Sequence, residues 1–193
     1  MKMKETKINK SSWPRGEWDN EPDLLKFTYL GYKCQILRMA DTGHLNGYVG
    51  ITKTHPFVNK SQSSQIVMEL SIESLIAVHG GITFADRIGT DKNIWWFGFD
   101  CAHSGDGMPG MPLPSYNKDK TYRNLEYVKN EVKSLAKQLK AFEQEKVAGL
   151  IKSSLQLESL AEKSKVGKLI ERYNKITKRA KDVLLKIREK NTN

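Results

Sequence analysis

The sequence predicts an α+β fold: a small, mostly antiparallel β body covered by a long amphipathic helix, with a C-terminal helical or coiled-coil extension. Three observations predict it. Before Pro114 the chain is made of short aromatic and β-branched runs punctuated by Gly, Asp and Pro, the pattern of strands joined by turns. After Pro114 the apolar residues recur at spacings of three and four, the helical period. Charge divides at nearly the same place: residues 1–117 hold 12 Lys+Arg and 12 Asp+Glu, residues 118–193 hold 20 and 10.

Residues 1–12 are polar and read as a loose N-terminus. Residues 13–23 hold Trp13, Trp18 and four acids, and read as an ordered irregular segment lying over the body. Residues 25–30 and 32–39, parted by Gly31, read as a hairpin-like pair. Leu45 to Ile51 is a third strand, with Tyr48 and Gly50 on one face and Val49 and Ile51 on the other. Residues 66–71 fit a short strand or a helical turn. Leu75 to His79 and Ile82 to Phe84 flank a Gly80-Gly81 break. Ile94 to Phe99 alternates poorly and reads as a strand buried on both faces. Pro109, Pro112 and Pro114 impose an extended loop.

The first helix carries Leu125, Val128, Val132, Leu135, Leu139 and Phe142, with Thr121 or Asp119 as expected N-cap. No Pro or Gly interrupts residues 115–148. Leu155, Leu157, Leu160 and Ala161 fit a linking helix near a hinge or return. The second series is Val166, Leu169, Tyr173, Ile176, Ala180, Val183 and Ile187, spaced like a heptad seam. The first helix is expected to cover the sheet. The second, narrow and strongly charged outside, is expected to seek an identical chain, giving a dimer or tetramer. The expected organisation is therefore residues 13–145 as a ligand-binding body and residues 146–193 as an oligomerisation extension.

The polar residues of the body gather at strand ends. Trp95-Trp96-Phe97-Gly98-Phe99 ends abruptly in Asp100-Cys101-Ala102-His103-Ser104-Gly105-Asp106. All four histidines, His44, His55, His79 and His103, lie beside turn-forming residues. Polar groups at the mouth of a buried strand are where ligand sites form. The candidate ligand-binding residues are His44, Tyr48, His55, His79, Gly80, Gly81, Thr83, Trp95, Asp100, His103 and Asp106. Trp95, Trp96, Phe97 or Tyr48 offers a stacking surface for a base. His79-Gly80-Gly81-Ile82-Thr83 offers amides and a hydroxyl to phosphate or ribose oxygens. Arg38 or Arg87 is available to add charge.

Several classes are disfavoured. P-loop and dinucleotide fingerprints are absent, so no cofactor is expected. His-Glu-x-x-His, Cys-x-x-Cys and Gly-x-Ser-x-Gly are absent, so neither a metal nor a catalytic residue is assigned. Cys34 and Cys101 are expected to be buried and reduced. No apolar run has the length of a membrane helix, and no apolar segment follows the basic Met1-Lys2-Met3-Lys4. The balanced body argues against a uniformly basic nucleic-acid-binding domain. Two alternatives stay open. A His/Asp- or metal-dependent hydrolase of nucleotides fits the residue types, and a helical tail that binds host protein or nucleic acid fits the basic excess.

A longer pattern carries a resemblance. Trp18-Asp19-Asn20-Glu21-Pro22-Asp23, Gly43-His44-Leu45-Asn46-Gly47-Tyr48-Val49-Gly50, His55-Pro56, Val78-His79-Gly80-Gly81-Ile82-Thr83-Phe84, Trp95 to Asp106, and Tyr122-Arg123-Asn124-Leu125-Glu126-Tyr127-Val128 occur in this order. Residues 13–140 thereby resemble a family of small proteins encoded by bacteriophages and prophages, to which no established activity is attached. Two features depart from that family's pattern: Phe57-Val58-Asn59-Lys60-Ser61-Gln62 replaces an aromatic and acidic stretch, and residues 146–193 extend beyond its end. The resemblance implies a phage accessory protein working in bacterial cytoplasm. With the candidate residues, it leads to the expectation of an anti-defence protein. Such a protein would sequester a nucleotide-derived immune signal, ADP-ribose-type or cyclic, without cleaving it.

Overall fold

A computed structural model describes residues 8–67, 70–111, 113–144, 149, 151, 153, 156 and 167–192. Strands β1 (Leu24–Tyr29), β2 (Tyr32–Arg38) and β3 (Leu45–Thr52) form an antiparallel meander. The β1–β2 turn is Leu30-Gly31, both at positive φ (51° and 87°), which matches the right-handed twist of a tight hairpin. Strands β4 (Gln65–Val67) and β5 (Leu70–Ser71) pair separately and run into the short helix α1 (Ile72–Leu75), capped by Ser71. The 66–71 segment is thus both strand and lead-in to a helical turn. Strands β6 (Phe84–Asp86) and β7 (Ile94–Asp100) complete a five-stranded antiparallel sheet in the order β1-β2-β3-β7-β6.

Strand alternation gives this sheet two different faces. Tyr32, Cys34, Ile36, Leu45, Val49, Ile51, Phe97 and Phe99 point to one side and form the core with helix α2 (Leu125–Glu143). On α2 the expected stripe is the buried one: Val128, Val132, Leu135, Leu139 and Phe142 are each fully buried. Lysines flanking the stripe lie over β1–β2 aromatics: Lys129 over Phe27, Lys133 over Tyr29 and Lys140 over Tyr32. No helix of the described residues covers the other face, where Asn46, Tyr48, Trp96 and Asp100 lie.

One local expectation is corrected. The α2 cap is Asn124, whose side chain accepts from Tyr127 N–H at 3.0 Å, and not Thr121 or Asp119. Thr121 is held elsewhere: its N–H donates to Gly105 and its carbonyl accepts from Gly107 N–H. Between α1 and β6, residues 76–83 form no helix or strand. Ahead of the Gly80-Gly81 break their backbone is claimed by side chains of α2. Gln138 grips Ala77 at both N–H and C=O, at 2.9 and 2.7 Å, and Glu131 accepts from His79 N–H at 2.8 Å.

The N-terminal segment lies over the body as expected, and its acids explain how. Arg38 is fully buried, pairing with Glu21 at 2.8 Å and Asp23 at 3.0 Å, and donating to Gly43 C=O and the Tyr122 hydroxyl. Glu21 also accepts from Leu125 N–H at 2.7 Å, satisfying an open amide at the start of α2. Arg38 is therefore closed into the fold and is unavailable to a ligand.

Helix α3 (Gly167–Thr192) packs against α2, α1 and β4 of its own chain. Thr177, Ala180 and Leu184 are buried there, while Tyr173, Ile176, Val183 and Ile187 are half-buried. The surface this seam requires is supplied in part from within the chain. Val166, the side chain of Leu169, and Leu155, Leu157, Leu160 and Ala161 of the expected linking helix lie outside the described residues. No helix among the described residues is long and apolar enough to cross a membrane.

Candidate functional site

The end of the sheet where β3 starts and β7 stops collects most of the candidate residues. The segment before β3 brings His44, β7 ends at Asp100, and the following turn carries His103 and Asp106. The 76–83 segment, pinned on α2, brings His79, Gly80 and Gly81. The first turns of α2 add Tyr127 and Glu131, and Arg123 stands just before the cap.

Asp106 is the hub. Its side chain is 2% exposed. One oxygen receives Arg123 Nε at 2.9 Å; the other receives His79 Nε2 at 2.7 Å and His103 N–H at 3.0 Å. Burial works to raise the Asp106 pKa, but these donors outweigh it and hold the carboxyl below its usual range. With Nε2 donating to Asp106, His79 Nδ1 faces the Tyr127 hydroxyl at 3.0 Å. Both ring nitrogens of His79 are therefore occupied. Burial, reinforced by Glu131, pushes the Tyr127 phenol up, which keeps it a neutral donor.

His103 packs beside His79 with ring centroids 5.5 Å apart, directly beneath Gly80. Any Cβ on Gly80 would collide with that imidazole, so the Gly80-Gly81 break has a steric reason as well as its positive φ values. His103 Nε2 makes no hydrogen bond and lies 3.7 Å from Asp100 Oδ1. His44 Nδ1 meets Thr42 Oγ1 at 2.7 Å. Burial lowers the His44 pKa against the pull of Asp100 and Asp41. Tyr48 lies on the helix-free face, its hydroxyl accepting from Asn46 Nδ2 at 3.2 Å. Thr83 is exposed and its N–H donates to Gly98 C=O.

Two candidates do not join this group. His55 is a core residue, 1% exposed. Its Nδ1 accepts from Phe57 N–H at 3.1 Å, so Nε2 bears the proton and donates to Leu139 C=O at 3.0 Å. In sequence a core histidine beside a turn looks like a rim residue, because both uses need polar backbone nearby. Trp95 sits at the opposite end of β7, on the helix-bearing face, donating to Lys60 C=O at 3.1 Å. Arg87 stacks on that ring, and so is also remote from the site.

Arg123, Tyr127, Glu131 and Asn46 were not singled out from the sequence. A signal for three of them existed. Residues 123, 127 and 131 recur every four positions beside the apolar stripe of α2, as a polar stripe docking a second segment would. Both thiols are buried and free, with burial pushing Cys34 up to about 11 and Cys101 higher still. Among the described residues no group of three or more His, Cys, Asp or Glu is arranged to hold a metal ion. No protein-family model matches the chain, no curated protein matches it, and no solved structure matches it.

Proposed function

We propose that this end of the sheet binds a nucleotide-derived small molecule and holds it without cleaving it. The chain then acts as a phage-encoded anti-defence protein that sequesters an immune signal, ADP-ribose-type or cyclic. One observation carries the binding reading. The buried side-chain atoms that lack a hydrogen-bond partner, among the described residues, are Asn46 Oδ1, Trp96 Nε1 and His103 Nε2. Asn46 and His103 belong to this end of the sheet, while Trp96 lies on the same helix-free face toward the other end of β7. Unpaired buried polar groups are costly, and a ligand is one means of satisfying them.

Holding is favoured over hydrolysis by the state of the polar groups. His79 has no lone pair free to serve as a base, the thiols are protonated and buried, and Tyr127 is not ionised near neutral pH. The anti-defence role follows from the phage resemblance joined to this chemistry. Incubation with ADP-ribose-type and cyclic nucleotides should deplete the free ligand, and heating should return it intact. A cleaved product would move the case to a hydrolase; no depletion by any of them would end the nucleotide reading.

Assembly through residues 146–193 is proposed on narrower ground, because Ala180 and Leu184 are already covered within the chain. What remains for a second copy is the half-buried Ile176, Val183 and Ile187. Light scattering should give a dimer or tetramer for the full chain. A monomer would confine α3 to its own body.

A further inference from the structure

The helix-free face carries a strip that the strand register defines. Asn46 stands opposite Asp100, and Tyr48 opposite Gly98, across β3 and β7. Phe84 faces Gly98 from β6. These positions share one side of the sheet, with the polar pair at the strand ends and the rings next to it. A Cβ on Gly98 would collide with the Tyr48 ring, so the glycine lets that ring lie down on the sheet. Phe84 meets Tyr48 edge to face, with centroids 5.5 Å apart. The result is an apolar floor adjoining two polar side chains.

The polar pair is short of donors, not of acceptors. Asn46 spends one N–H on the Tyr48 hydroxyl, and its buried Oδ1 has the His44 imidazole nearby but no formed hydrogen bond. Asp100 Oδ1 accepts from Ala102 N–H at 3.1 Å, and Oδ2 receives none among the described residues, with the side chain 28% exposed. Their missing partner is a group that donates. A phosphate donates nothing at neutral pH and would meet the Asp100 carboxylate. Sugar hydroxyls are neutral donors, and a furanose has an apolar side that suits an aromatic floor. Carboxylates that accept from ribose hydroxyls are a recurrent solution in nucleotide-binding folds.

We propose that Asp100 and Asn46 accept the vicinal hydroxyls of a ribose ring that lies over Tyr48. This deepens the nucleotide reading above and depends on it for the rest of the ligand, but not for the diol. The strip therefore recognises the sugar, and the His79–Asp106 cluster beside it supports the turn that places Asp100 and His103.

The test uses the full chain and two small probes, methyl β-D-ribofuranoside and its 2-deoxy counterpart, with side-chain amide and aromatic resonances followed by NMR. The ribofuranoside should shift the Asn46 amide and the Tyr48 ring saturably, leaving the His55 ring unmoved. Removing one hydroxyl should weaken the effect at least about tenfold, since one of the two site acceptors then loses its donor. Asp100→Ala and Asn46→Ala should each abolish the shift, with the His55 ring reporting that the fold is kept. Equal response to both sugars, or none to the ribofuranoside, overturns the proposal without reference to any variant. A shift by butylammonium and not by the sugar overturns it too, and places a cation there. Sugar binding without depletion of any nucleotide would leave the diol site standing and remove the nucleotide reading. Nucleotide depletion that ignores the 2-hydroxyl would do the reverse.

Discussion

His55 and His79 sit toward opposite ends of the same helix, and the fold treats them in opposite ways. At the Leu139 end, His55 meets Tyr32 and Phe57, the latter packed on Phe142, and both its nitrogens serve backbone groups. At the Tyr127 end, His79 is enclosed by Asp106, Tyr127 and Glu131, and its ring is held by ionisable side chains. The first end derives its strength from packed apolar volume. The second derives it from charges whose partners are placed in advance. The difference teaches where function can reside. The packed rings leave neither nitrogen of His55 unmet, whereas the other end leaves Asn46 Oδ1 and His103 Nε2 without a partner among the described residues.

The two ends should break by different routes. The largest effect is expected from Phe142→Ala, a fully buried ring at the His55 end, which should cost about 3–5 kcal/mol in urea unfolding. Ligand retention by the molecules that remain folded should be unchanged, because no candidate site residue touches that ring. Loss of retention at constant folded fraction would show the ends to be coupled.

Asp106→Asn should cost less, about 2 kcal/mol, because the volume is kept while Arg123, His79 and the His103 amide lose a charged acceptor. Retention of ligand should nevertheless fall sharply, since the turn bearing His103 is no longer fixed. A variant that loses stability yet binds normally would make Asp106 a structural hub alone.

Acid should separate the two ends in smaller steps. Unfolded His55 titrates near 6.5, and burial lowers its value in the native state. Between those values only the unfolded chain takes up the proton, so stability is full above 6.5 and is lost as pH falls through this window. His44 adds a loss of the same sign. Asp106 and Asp23, held below the usual 3.8, contribute their loss only under that pH. His55→Gln should therefore flatten the fall in stability just below 6.5 and leave the deeper acid transition in place. An unchanged slope would mean that His55 does not carry this loss.

The smallest effect is expected from Asn124→Ala, which removes the cap of α2 and its bond to Glu17 for about 1 kcal/mol. Glu21 still satisfies the Leu125 amide, so the helix start should loosen without opening. A loss of several kcal/mol would show that Asn124, and not Glu21, anchors α2.

Periodicity alone determined the elements with strong local signals. The β1–β2 hairpin, β3, β7 and the buried stripe of α2 are legible because alternation and a three-four spacing repeat what a sheet and a helix must bury. The gathering of His44, His79, Asp100, His103 and Asp106 was legible for a related reason: polar residues that end apolar runs share the rim those runs create. Tertiary structure decided everything that depends on which distant group reaches a backbone amide. Ala77 and His79 do not extend a strand because Gln138 and Glu131 take their hydrogen bonds from 61 and 52 residues away. Arg38 is sealed by acids that precede β1, while Arg123 stands at the site. His55 is a core residue because its two acceptor and donor partners, Phe57 N–H and Leu139 C=O, lie on opposite sides of the ring. Side-chain burial period is a local property of the chain, and hydrogen-bond partnership is not, so the sequence specifies which faces are buried and the fold alone specifies which polar groups remain unpaired.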